Sequence, residues 1–124
     1  MTKKVLIFED DAFLLDAYKL KLSADPAWQV VTFPDGEDAL AKVKTEKPDI
    51  IILDILMPKT SGIDVLKELK GDDATKAIPV IIASNIDQDA TVKQAIAMGA
   101  QDYFIKSEAT ITDLLEKCKK VLKA

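Results

Sequence analysis

Short apolar runs alternate with amphipathic stretches along this chain, five times over, and few architectures accommodate that order. Val5 to Phe8 is a continuous apolar run, as expected of a strand buried on both faces. Leu14, Leu15, Tyr18 and Leu22 then recur at helical spacing over Ala12 to Ser23, and Asp25-Pro26 closes the segment. Trp28 to Phe33 is rich in β-branched and aromatic residues and reads as a second strand. After the turn at Asp35-Gly36, the stripe Ala39, Leu40, Val43 gives a helix that Pro48 ends. Ile50 to Leu53 is the most apolar run of the chain. A loop holding Pro58 and Gly62 leads to a third helix with Ile63, Leu66 and Leu69, ended by Gly71-Asp72. Val80 to Ala83 is the fourth strand, and Thr91 to Met98 the fourth helix, stopped by Gly99. Asp102 to Ile105 is the fifth strand. Ile111, Leu114, Leu115, Cys118, Val121 and Leu122 mark an amphipathic last helix. Strand and helix in strict alternation with short connections imply an α/β fold, a parallel sheet covered by helices on both faces.

At 124 residues, 48% of them hydrophobic, the chain suits one domain with a sizeable core. It contains no histidine. That removes imidazole general-base chemistry, Ser-His and Cys-His nucleophile pairs, and every zinc site that needs histidine. The single cysteine, Cys118, can form neither an internal disulfide nor a Cys-rich metal site, which fits a reducing compartment. Four glycines without a cluster exclude the common phosphate-cradling loops. A net charge of −4 argues against a nucleic-acid binder. Residues 1–8 are too short an apolar stretch for a signal or a membrane span, so a cytoplasmic protein without membrane partners is expected.

In an open parallel sheet, ligands gather beyond the carboxyl ends of the strands. Glu9-Asp10-Asp11 follow the first strand, Asp54 the third, Ser84 and Asn85 the fourth, Lys106 and Ser107 the fifth. Alone, each has an ordinary reading: acidic residues cap helices, hydroxyls satisfy nearby backbone, and lysines are solvated. Together they place carboxylates, a hydroxyl and one ammonium on a single edge. Clustered carboxylates repel and raise one another's pKa, and a divalent metal and a lysine would relieve them. An all-oxygen donor set with few carboxylates suits Mg²⁺. Such a site could accept a phosphoryl group: Asp54 would attack phosphorus in line, Lys106 would neutralise its oxygens, and Ser84 would hydrogen-bond one of them.

The stretches VLIFEDD at 5–11, IIILDILMPKTSG at 50–62, PVIIASN at 79–85 and GAQDYFIKS at 99–107 resemble the receiver domain of response regulators in two-component signalling. The likeness runs from about residue 3 to 122. It implies a CheY-like, flavodoxin-like (βα)5 three-layer sandwich with strand order 2-1-3-4-5, and one receiver domain over 1–124 without an output domain. By the same resemblance Asp54 is the phospho-acceptor, Asp10 a direct Mg²⁺ ligand, and Glu9 a neighbour acting through metal-bound water. The backbone carbonyl of Leu56 is the remaining protein ligand. Ser84 is the hydroxyl that turns toward the phosphoryl group, Lys106 the lysine that contacts it, and Tyr103 an aromatic that changes rotamer. Asp11 is left as a helix cap. The implied function is a phosphorylation switch rather than an enzyme. Its donor would be a phosphohistidine on a sensor histidine kinase or phosphotransfer protein, since this chain has no histidine of its own. A downstream protein, or a second copy on activation, would meet the face formed by the fourth helix, fifth strand and fifth helix.

Three departures from the family pattern matter. Ser107 replaces a proline that commonly follows the lysine across a cis bond. A cis non-proline bond costs roughly 2.5–4 kcal/mol, so a trans bond and a less firmly aimed Lys106 are expected. Asn85 is larger than the usual residue after the hydroxyl and would narrow phosphoryl access. Leu56 and Ile86, two residues beyond Asp54 and Ser84, are apolar where polar groups can place an attacking water, which predicts a long-lived phosphoryl group. Asn85 and Ser107 also favour an alternative, a receiver-like interaction module that docks without phosphorylation. A flavin-binding electron carrier on the same topology would need a phosphate loop that the chain lacks.

Overall fold

The computed structural model describes residues 2–123. Five strands and five helices alternate: β1 Lys3–Phe8, α1 Ala12–Ser23, β2 Trp28–Phe33, α2 Ala39–Glu46 and β3 Ile50–Leu53 in the first half. The second half holds α3 Gly62–Lys70, β4 Val80–Ser84, α4 Asp89–Ala97, β5 Asp102–Ile105 and α5 Ile111–Lys123. All neighbouring strands are parallel, in the order β2-β1-β3-β4-β5. The expected α/β architecture is therefore present.

Alternation along each strand divides the core between the two faces of the sheet. Leu6 and Phe8 of β1 and Ile51 and Leu53 of β3 pack with Val43, Val65, Leu66 and Leu69 beneath α2 and α3. Val5, Ile7, Ile50 and Ile52 face the other way, toward Tyr18 and Leu22 of α1 and Leu114 and Cys118 of α5. β3 is buried along its whole length, which is why its run carries no polar residue.

Helix boundaries follow local chemistry. Asp11 caps α1, its carboxylate accepting from the amides of Phe13 (3.0 Å) and Leu14 (3.2 Å). Pro48 disfavours a helical residue before it, and Lys47 there is left-handed with φ 49°. Two elements extend beyond the apolar signal. β1 begins at Lys3 rather than Val5, because Lys3 and Lys4 pair with Trp28 and Gln29. α4 begins at Asp89 rather than Thr91, and its last residue is Ala97, with Met98 as the cap. Its first residues, Asp89 and Ala90, are exposed and leave no apolar mark in the sequence.

The strand order reverses between β1 and β3, whose neighbours diverge to β2 and β4. A crevice opens at such a point beyond the carboxyl ends. Glu9 and Asp54 stand there.

Candidate functional site: an acidic crevice at the carboxyl edge

Glu9, Asp10, Asp54 and Lys106 are the first or second residues past a strand, Ser84 is the last residue of β4, and the ladders fix their backbone positions. The amide of Glu9 donates to Phe33 O and that of Asp54 to Phe8 O, both at 3.0 Å, so sheet pairing continues into the site. Lys106 is set by its own amide, which donates to Ser84 O at 3.0 Å. Glu9 (2% exposed), Asp54 (5%) and Ser84 (1%) are buried, whereas Asp10 faces solvent.

Carboxylate oxygens of Glu9, Asp10 and Asp54 lie within 4.8 Å of one another. The Lys106 ammonium enters among them, donating to Glu9 Oε1 and, at 3.0 Å, to Asp54 Oδ2. Glu9 Oε2 accepts the amide of Asp11 at 3.2 Å. Burial pushes the Glu9 carboxyl up to about 7; Lys106 opposes the rise and Asp54 adds to it. Burial alone would lower the Lys106 ammonium, but its bonds to Glu9 and Asp54 outweigh burial and hold it above the ordinary lysine value.

Of these three carboxylates, Glu9 and Asp54 share the half-buried Lys106 ammonium, and Asp10 completes the cluster. Donor chemistry and charge both fit a hard divalent cation: every donor is oxygen, and two negative charges are unmatched when all three carboxylates ionise.

Behind the carboxylates the backbone is packed closely. The amide of Gly62 donates to Ile55 O at 2.8 Å. A Cβ at Gly62 would lie 1.9 Å from Asp54 O, so only glycine fits beneath the acceptor strand end.

The remaining sequence-derived candidates surround this cluster. Ser84 Oγ accepts the amide of Ile86 at 3.2 Å, and Tyr103 Oη donates to Ile86 O at 2.7 Å, so both hold the connection from β4 to α4. Leu56 is 64% exposed, Ile86 is half-buried, and Asn85 is exposed. The described residues contain no cis peptide, so Lys106–Ser107 is trans. Across this trans bond Lys106 still reaches two carboxylates, and its amide meets the Ser84 carbonyl. Cys118 lies far from the edge in the core beneath α5, and burial pushes its thiol up to about 12. Nucleophilic thiolate chemistry is thereby removed.

One feature of the site is absent from any sequence pattern. Lys59, in the loop after β3, pairs with Glu37 and Asp35 in the loop after β2.

A profile of the response regulator receiver domain matches residues 5–119. The chain belongs to that family. Chemotaxis protein CheY of Thermotoga maritima is 35% identical over 125 residues, covering 97% of this chain and all of CheY. The transcriptional regulatory protein PhoP of Bacillus subtilis, named for alkaline phosphatase synthesis, is 34% identical over 86% of this chain, which spans 43% of PhoP. A protein-glutamate methylesterase of Halalkalibacterium halodurans is 38% identical, and the chain spans 34% of it. Two of these relatives are thus more than twice as long as the matched part. Among solved structures, the receiver domain of Thermotoga maritima CheB superposes with a TM-score of 0.87 at 30% identity, covering 100% of this chain and 98% of that one. The BeF3-activated N-terminal receiver of Klebsiella pneumoniae RstA gives 0.88 at 27% identity, covering 98% and 100%. Among the described residues, no helix is long and apolar enough to cross a membrane.

Proposed function

We propose that this receiver takes a phosphoryl group on Asp54 from a phosphohistidine of a separate protein and signals through the resulting change in its surface. The observation that carries the reading is the buried Asp54 carboxylate held between Lys106 and two further carboxylates at the sheet's switch point. One oxygen of Asp54 attacks phosphorus. The P–N bond of the donor breaks, and its electron pair stays on the imidazole nitrogen. Lys106 neutralises a phosphoryl oxygen, and the Ser84 hydroxyl donates to another.

Glu9, Asp10, Asp54 and the carbonyl of Leu56 would hold Mg²⁺, which supplies charge neutralisation for the transferring group. Transfer adds charge and acceptor oxygens to the edge. Ser84 turns toward them, releasing the Ile86 amide, and Tyr103 leaves the Ile86 carbonyl to follow. The face of α4, β5 and α5 then changes shape for a downstream protein or a second copy. Family membership, the full-length match to CheY and the likeness to a BeF3-activated receiver support this reading. The receiver itself is a switch, promoting only its own gain and loss of phosphoryl, and acts in the cytoplasm where its donor kinase has its catalytic part.

The test is incubation with Mg²⁺ and a small-molecule phosphodonor, read by intact mass. The expected result is a single phosphoryl adduct that Asp54→Ala loses. Absence of an adduct in the parent chain would overturn the reading in favour of constitutive docking. In the same assay, Leu56→Asn and Ile86→Glu are expected to shorten the adduct's lifetime, since each offers a polar group to an attacking water.

A further inference from the structure

Lys59 carries a strain that no glycine relieves. Its φ is 72°, and the amide of Thr60 donates to Pro58 O at 2.8 Å, so Lys59 sits at the centre of a three-residue turn. With a positive φ this is the rare, strained form of the γ-turn. A left-handed L-residue is unfavourable and persists where its surroundings over-determine it.

The surroundings are two acids on the neighbouring loop. Lys59 Nζ lies 2.7 Å from Glu37 Oε2 and 3.7 Å from Asp35 Oδ2. Asp35 is itself fixed, its other oxygen accepting the Glu37 amide at 2.9 Å. Between the two acids Gly36 is buried. A Cβ there would stand 2.9 Å from Val65 Cγ2 and 3.0 Å from Thr60 O, so the loops meet at backbone distance. Lys59 therefore braces one loop against another beside a close approach of the two.

We infer that this brace is the positioning device for the metal rim. By holding the strained turn, Lys59 fixes the short run from Ile55 to Met57, and with it the Leu56 carbonyl, at the reach from Asp54 that a dication requires. The inference rests on the phosphoryl-acceptor reading and extends it: Lys59 is a positioning residue, touching neither metal nor phosphoryl group. Groups that orient metal ligands from outside the coordination shell act in this way.

The sign of the effect separates the brace from simple electrostatics. Removing a positive charge near three carboxylates would, by Coulomb's law alone, tighten the binding of Mg²⁺. Loss of a brace loosens it instead.

The experiment is a titration of the ¹⁵N-labelled full chain with Mg²⁺, following the amides of residues 55–62. Lys59→Gln is expected to weaken Mg²⁺ binding about three- to five-fold, the scale of a partly exposed ion pair. Lys59→Arg should stay within about two-fold, and Lys59→Glu combined with Glu37→Lys should recover part of the loss. Unchanged amides away from residues 34–38 and 54–62 would show that the fold is intact. Equal or tighter binding in Lys59→Gln overturns the brace while leaving the acceptor reading standing. No Mg²⁺ binding by the parent chain would overturn both.

Discussion

At the amino edge of the sheet Lys4 meets Glu46 at 3.2 Å, and its backbone amide meets Asp49 at 2.7 Å. Lys4 and Glu46 keep a share of solvent, as do Lys117 and Asp102, paired at 3.0 Å at the start of β5. At the carboxyl edge, Lys106 is the one ammonium for Glu9, Asp10 and Asp54, and two of those acids are almost wholly buried. The same sheet thus ends in matched, half-exposed pairs on one side and an unmatched, buried cluster on the other. Matched pairs add a little stability and ask for nothing more. An unmatched buried cluster is unfavourable as it stands and becomes favourable when a dication or a transferable charge arrives. The contrast marks the carboxyl edge as the one whose charges are unmatched, without reference to any relative.

The strongest way to break this contrast is Lys106→Met, which removes the cation and keeps most of the side-chain volume. Breaking a buried pair by deleting one partner costs about 3 kcal/mol, because the remaining charges stay buried. The expected result at pH 8 in metal-free buffer is a free energy of unfolding, from urea titration, lowered by that amount, with a correspondingly lower midpoint. Mg²⁺ should restore part of it by binding the native state. An unchanged midpoint would mean that water already screens Glu9 and Asp54, and that the two edges do not differ in kind.

The acidic edge was legible in the sequence because strand ends are easy to place. Val5–Phe8 and Ile50–Leu53 are unbroken apolar runs, so Glu9 and Asp54 could only fall at their carboxyl ends. The end of α2 was legible through Pro48, and Asp11 as a cap through its place before an amphipathic stretch. The beginning of α4 was not, since an exposed first turn has no apolar periodicity to betray it. The Lys59 brace was invisible for another reason: its partner Glu37 is 22 positions away, and the left-handed turn uses a residue type that does not announce it. The contacts of Lys106 were not legible either, because the Ser84 carbonyl and the two carboxylates that it meets belong to other strand ends, distant in the sequence.

The carboxyl edge should also give stability a pH dependence that the amino edge lacks. Burial raises Glu9 from 4.5 to about 7, with Lys106 opposing and Asp54 reinforcing. The native state therefore holds this proton more tightly than the unfolded chain. Its contribution is fully present below about pH 4.5 and is lost as pH rises through 7. In metal-free buffer the parent chain should lose on the order of 2 kcal/mol relative to Glu9→Gln across that interval. Paired urea titrations at stepped pH measure the difference. Parallel profiles for the two proteins would show that Glu9 ionises as freely as an exposed carboxylate.

The smallest effect belongs to the matched edge. Glu46→Gln leaves the Lys4 ammonium bonded to the Glu46 carbonyl at 2.9 Å and removes only the exposed half of the pair. A loss of about 0.5 kcal/mol is expected. Salt makes this a test of the comparison rather than of one pair. At 1 M NaCl the Debye length is about 3 Å, and the Glu46→Gln deficit should vanish. The Lys106→Met deficit should persist in Na⁺, because its carboxylates are out of reach of diffuse counter-ions. If salt erased both deficits equally, the carboxyl edge would be only another solvated surface, and its charge imbalance would lose its meaning.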